Sequence, residues 1–182
     1  KKVLDQAGWI DADGDGVREK NGKKLIVKWL TYPSRQELPL LAESAQSTLK
    51  DIGIEVDINN TADNNQVVKD PKKWDVYAMA NVQAPTGDPE YWFTVFAAGN
   101  ATKNQGRYQS AKLDALEAQL SQEFDPAKRA ALALQMQQTV LDDHAFVFCS
   151  FLKMSMISKA NVKNYTSHAC DYYQVTADLD VQ

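Results

Sequence analysis

Two periods of apolar residues alternate along the chain and lay out its elements. KLIVKWLT, residues 24–31, reads as a strand. In the following YPSRQE, Ser34 and Glu37 have the spacing of a capping box. Leu41, Ala45, Leu49 and Ile52 then follow helical spacing until Gly53 ends the run, with Pro39 near the helix start. Ile54, Val56 and Ile58 alternate with Glu55 and Asp57, the mark of a one-sided strand. Strand, helix and strand on short links predict a parallel βαβ unit.

Further along, a polar interval leads into WDVYAMA, residues 74–80, which reads as another core strand. The proline and glycine loop VQAPTGDP and the aromatic segment EYWFTVFAAG come next. Ser110 and Asp125 are N-caps in position for two successive helices, the second with Pro126 at its favoured first place. Leu113, Leu116 and Leu120 mark the buried stripe of one, and Leu132, Met136 and Val140 that of the other. AFVFCSFLKMSMIS, residues 145–158, is long enough for one bent strand or a strand pair. At the front, KKVLDQAGWI reads as the last turns of a helix that Gly8 stops, with no apolar signal core, so a fragment of a longer protein is expected. The fold class is α/β, with several strands and three main helices.

Composition narrows the function classes. A length of 182 residues suits one domain with at most a short appended segment. The net charge of -4 gives no basic footprint, which argues against a nucleic-acid partner. Two histidines and two cysteines are too few and too scattered for a zinc module. No apolar run reaches the length of a membrane span. Nucleophile elbow, zincin, P-loop and dinucleotide fingerprints are all absent, so no enzyme is expected.

One stretch has metal-loop spacing. In IDADGDGVREKNGKK, Asp11, Asp13 and Asp15 stand at positions 1, 3 and 5 of a calcium loop and Gly16 at position 6. Position 12 is Gly22, which has no side chain, and Glu19 at position 9 is the remaining carboxylate. A structural calcium ion at 11–19 and a plain polar turn both fit this pattern. His144 at the end of a long helix complements the helix dipole. His168 with Cys170 offers nitrogen and sulfur to a soft metal, although two ligands do not make a site. Cys149, in an apolar run, is expected in the core, and its pairing with Cys170 depends on an oxidising compartment.

The ordered blocks AGWIDADGDGVREKNGKKLIVKWLTYP, LAESAQSTLKDIGIEVDI, WDVYAMA, APTGDPEYW, YQSAKLDALEAQ, DPAKRAALALQMQQTVLDD and FLKMSMISKANVKNY resemble the solute-binding proteins of ABC importers, family 5. The resemblance implies one lobe of a periplasmic-binding-protein type II fold, a mixed sheet flanked by helices. Residues 1–165 would form the second, C-terminal lobe and 166–182 a tail returning toward the first. Such receptors are extracytoplasmic, in the periplasm or lipid-anchored at the cell surface. They close on a small solute and deliver it to the transmembrane subunits of an ABC permease, with no cofactor required. The resemblance assigns Ala84, Pro85, Thr86, Asp88, Tyr91, Trp92 and His168 to ligand binding. Peptide-binding members often carry an aspartate in this loop for the peptide's amino group. Aligning on Asp88-Pro89 puts Pro85 there, and Ala84-Pro85 before Asp88-Pro89 is similar to nickel-type members. Nickel, as a small chelate, is the expected solute, with short peptides as the alternative; a calcium-stapled interaction module is the reading from another class.

Overall fold

Helix α1 (Lys2–Gln6) ends where Gly8 takes a left-handed φ of 81°, a backbone shape that a side chain would oppose. The computed structural model describes residues 1–153, 155–168 and 174–182, and its chain forms two compact units, Lys1–Asn81 and Val82–Gln182.

In the first unit, β1 (Glu19–Lys20) and β2 (Lys23–Lys24) form an antiparallel hairpin across Asn21 and Gly22. Both turn residues have positive φ, 53° and 73°, as an Asn-Gly turn between strands requires. β3 (Ile26–Thr31), α2 (Glu37–Lys50) and β4 (Glu55–Asn60) make the expected parallel βαβ unit, in register from Ile26 opposite Glu55 to Thr31 opposite Asn60. The short α3 (Asn64–Val67) precedes β5 (Val76–Tyr77), which pairs parallel to the other side of β3. The order β4-β3-β5 puts β3 in the middle, and Leu30 there is fully buried. The 74–80 stretch falls short of the expected core strand. It is half-buried, and only Val76 and Tyr77 pair with β3, at the sheet edge.

The capping box at Ser34 does not form; the N-cap of α2 is Gln36. Had the helix begun after Ser34, Pro39 would have been its fifth residue, with its ring against the carbonyl four residues back. Starting at Glu37 leaves Pro39 in the first turn, where the missing N–H has no helical partner to lose. Leu38 and Ala42 are the buried residues of the helix, and the predicted Leu41, Ala45 and Leu49 beside them are half-buried. Arg18, 9% exposed, ties this unit together. Its Nε donates to the Ile52 carbonyl at 2.7 Å, and its Nη1 to the Trp9 carbonyl at 2.7 Å and to Asp5 at 2.5 Å.

In the second unit α4 (Glu90–Trp92) runs directly into a π-helical turn, Phe93–Ala97, that buries Phe93, Phe96 and Ala97. α5 (Ala111–Leu120) and α6 (Pro126–Asp142) pack against each other. Both predicted caps are present. Ser110 Oγ accepts from Leu113 N at 3.4 Å, and Asp125 Oδ1 from Lys128 N at 2.9 Å. The buried residues are Leu113, Leu116 and Leu120 on α5, and Ala133, Met136, Thr139 and Val140 on α6. His144 follows α6 with φ 52°, and its Nδ1 donates to the Leu141 carbonyl at 2.8 Å. β6 (Val162–Lys163) pairs antiparallel with β7 (Asp180–Val181). Parallel and antiparallel pairing thus both occur, each in its own sheet, and the α/β class stands.

The apolar run 145–158 departs from expectation, for its described residues form no strand. Phe146 and Phe148 fold onto Trp92, with centroids 5.1 and 5.4 Å away, whereas Val147, Phe151 and Ile157 are 86%, 79% and 92% exposed. A strand needs a neighbour to accept its ladder, and none among the described residues lies beside this one. Cys149 is accordingly exposed rather than in the core. Cys170, the candidate partner of Cys149 and of His168, lies outside the described residues.

Candidate functional site

The loop between β5 and α4 is built from its own turn residues upward. Gly87 N donates to the Ala84 carbonyl at 3.0 Å, closing a four-residue turn with Pro85 second and Gly87 last. Proline fits the second place because its φ is pre-set, and Gly87 accepts the positive φ of 81°. Ala84 and Thr86 are exposed at the tip and Pro85 is half-buried. Asp88 then opens α4, its Oδ1 accepting the Glu90 N–H at 2.8 Å.

Arg129 fixes this segment from the first turn of α6. Its Nη2 lies 2.8 Å from both oxygens of Asp88 and 2.8 Å from Glu90 Oε2. Its Nη1 donates at 2.7 Å to the carbonyls of Leu120 and Glu123, which end α5 and lead into α6. The Asp88 carboxyl is held below the ordinary carboxylate range, first by the Glu90 N–H and then by Arg129, against the opposing effect of burial. Glu117, nearby in charge, is pushed up by burial and by Glu90 and Asp114. Sequence reasoning missed Arg129, whose carboxylate partners are 41 and 39 residues away in the chain.

The other residues assigned to ligand binding divide. Tyr91 is 37% exposed and meets Phe96 edge-on at 6.5 Å. Trp92 is 8% exposed and packs among Phe93, Phe96, Phe146 and Phe148. Its place is in the core of the second unit. His168 is exposed, in the stretch after β6.

In the first unit the acidic loop brings Asp11, Asp13, Asp15 and Glu19 together, with one oxygen from each inside a 4.8 Å span. The loop's own amides occupy much of this set. Asp11 accepts from Gly14 N at 2.9 Å and Gly16 N at 3.1 Å, Asp13 from Asp15 N at 3.1 Å, and Asp15 from Val17 N at 2.9 Å. Glu19 accepts from Ala12 N at 2.9 Å. Lys24 is ion-paired with Asp15 and lies 3.9 Å from Asp13. That pairing lowers the Asp15 carboxyl and raises the Lys24 amine. Hard carboxylate oxygens at this separation suit calcium chemically, but Lys24 already brings a positive charge to the same place. The Lys24 contact, like the Asn-Gly hairpin that presents it, was open to a closer reading of EKNGKK.

At the C-terminal ends of the three parallel strands, where ligands of open α/β sheets usually lie, the first unit also carries an aromatic group. Tyr77 stands 6.3 Å from Tyr32 and 6.0 Å from Trp74, and its hydroxyl accepts from Asn64 at 2.8 Å. Thr31 at the end of β3 is fully buried, and its hydroxyl has no partner among the described residues.

Comparison with known proteins joins these observations. The family model for bacterial extracellular solute-binding proteins, family 5 Middle, matches residues 1–104. The chain is 27% identical over 165 residues to the nickel-binding protein NikA of Staphylococcus aureus, covering 91% of this chain and 33% of that protein. It is 27% identical over 171 residues to the oligopeptide-binding protein AppA of Bacillus subtilis, covering 92% and 31%. Among solved structures, a nickel ABC transporter protein from Bacillus halodurans superposes with a TM-score of 0.73 at 27% identity, covering 99% of this chain and 38% of that one. The chain thus spans about a third of the length of the curated relatives it matches.

Proposed function

The chain belongs to the bacterial extracellular solute-binding proteins of family 5, and from that premise we propose that it forms part of a receptor that captures nickel as a small chelate for an ABC importer. The receptor works outside the cytoplasm, in the periplasm or anchored at the cell surface, and hands its solute to the permease's transmembrane subunits. Capture is lobe closure. A solute favours the closed state only by contacts it makes better there, so this chain supplies one set of contacts and a first lobe the other. Ala84, Pro85, Thr86 and Tyr91 are the contact surface we assign on this side, with His168 as the candidate imidazole.

The observation that supports nickel over peptide is the state of Asp88. It is the sole carboxylate of loop 82–88, and both its oxygens are engaged by Arg129 and the Glu90 N–H. An incoming ammonium group would have to share it with Arg129, although the Asp88 side chain is still 42% exposed. A chelate held by shape, aromatic contact and imidazole makes no such demand. The test is calorimetric titration of the whole receptor, metal-stripped, with nickel(II) plus L-histidine and separately with tri-alanine. Binding of the nickel chelate alone is expected. Binding of the peptide with no heat from the chelate would replace nickel by the peptide reading.

A structural calcium ion in the 11–19 loop is a subsidiary proposal, supported by the 4.8 Å grouping of its carboxylates. Millimolar calcium would then raise the melting temperature and EDTA would reverse the rise. An unchanged melting temperature would leave Lys24 as the counter-charge of the loop.

A further inference from the structure

Arg129 is placed by rigid neighbours. Asp125 caps α6 and Pro126 fixes its first residue, so the fourth helical residue projects from a defined turn. The guanidinium side chain is 16% exposed, and both terminal nitrogens have oxygen partners. On one side it donates to two carbonyls of the turn after α5, that of Leu120, which also accepts the Glu123 N–H at 3.3 Å, and that of Glu123. On the other it holds Asp88 and Glu90, two residues apart at the entry to α4. The exposed tip, Ala84 and Thr86, is therefore tied down twice: by the Gly87 to Ala84 turn and, through Asp88, by Arg129.

We propose that Arg129 is a positioning residue for solute capture, which sets the shape of loop 84–89 through Asp88 and Glu90 without touching the solute itself. The inference rests on the solute-binding reading above and adds the device that prepares the loop. Binding energy is then not used to order the loop, which is how preorganisation raises affinity. The planar fork matters as well as the charge. An ammonium group is a single point on a flexible stem and cannot take two carbonyls and two carboxylates at once.

The test uses the whole receptor and three variants, Arg129→Met, Arg129→Lys and Asp88→Asn. Amide hydrogen exchange of residues 84–92 reads the loop, and calorimetry with nickel(II) plus L-histidine and with tri-alanine reads the solute. Arg129→Met is expected to speed loop exchange at least tenfold and to weaken the bound probe at least tenfold, with Arg129→Lys between it and the parent. Adding Asp88→Asn to Arg129→Met should cause little further loss, because the two act through one contact. Should Arg129→Met fail to fold, Arg129→Lys and Asp88→Asn carry the same two readouts. Unchanged loop exchange overturns the proposal. So does faster exchange with the probe's affinity unchanged within twofold, since Arg129 would then be structural only. If the parent binds neither probe, the solute reading fails by itself, and loop exchange alone decides whether Arg129 sets the loop.

Discussion

Two acidic loops in this chain are held in opposite ways. The carboxylates of 11–19 take their amide bonds from residues two to seven positions away, and Lys24 comes in from nine. Asp88 in loop 84–89 takes one bond from two residues on and the rest from Arg129, 41 positions ahead. The first loop can form as soon as its own segment turns. The second cannot be complete until α5 and α6 have packed. A loop of the first kind is a local fixture. A loop of the second kind reports the state of a distant hairpin, as the solute-contact role proposed for it would need.

The strongest way to break this contrast is to loosen the hairpin without touching either loop. Leu120 is fully buried, and its carbonyl is one of the two that Arg129 takes. Leu120→Ala should cost about 2–5 kcal/mol by denaturant unfolding, the usual range for such a truncation. Amides of 84–90 should then exchange faster while those of 12–19 keep their protection. Equal loosening of both would mean that the two loops belong to one cooperative whole.

Gly53→Ala is the mirror experiment. Gly53 has φ +86°, and an added Cβ would stand 2.7 Å from Arg18 Cγ. The left-handed backbone alone costs a side chain roughly 1–2 kcal/mol, and Arg18 must also shift from the Ile52 carbonyl. The Arg18 amide, which donates to the Gly53 carbonyl at 2.9 Å, should lose protection, whereas the locally bonded amides of 14–17 and those of 84–90 should not. Loss at 14–17 as well would mean that the first loop is not local.

The same division explains what could be read beforehand. The βαβ unit was legible because its strands alternate and its helix keeps a period, both local properties of the chain. The caps at Ser110 and Asp125 were legible for the same reason. Ser34 misled because a proline five residues on forbade the earlier helix start, a conflict between two local rules that only geometry resolves. The 145–158 run misled in another way. Apolar content says that a segment wants burial, not which neighbour will supply it, and its exposed side chains show how little the pattern decides. At the candidate site, the turn chemistry of Pro85 and Gly87 was plain, whereas the loss of Asp88 to Arg129 depends on a contact no periodicity marks.

The smallest expected effect separates the two loops by the nature of their electrostatics. Asp15 and Asp88 both titrate below the ordinary carboxylate value of about 3.9. Ionised, each adds stability above that value, and the contribution is lost as acid carries the pH down through the lowered folded pKa. The leading causes differ. For Asp15 it is Lys24, a charge that counter-ions can screen; exposure does not separate the sites, since the Asp15 side chain is 40% exposed and that of Asp88 42%. For Asp88 it is the Glu90 N–H at 2.8 Å, a fixed dipole whose bond ions in solution do not replace. At 1 M salt the screening length falls to about 3 Å. Carboxyl-carbon NMR titrations at low and high salt should show Asp15 returning toward its ordinary value while Asp88 moves less. Equal shifts at the two sites would mean that Asp88 is held chiefly by the charge of Arg129, and its loop would then be as open to salt as the loop around Asp15.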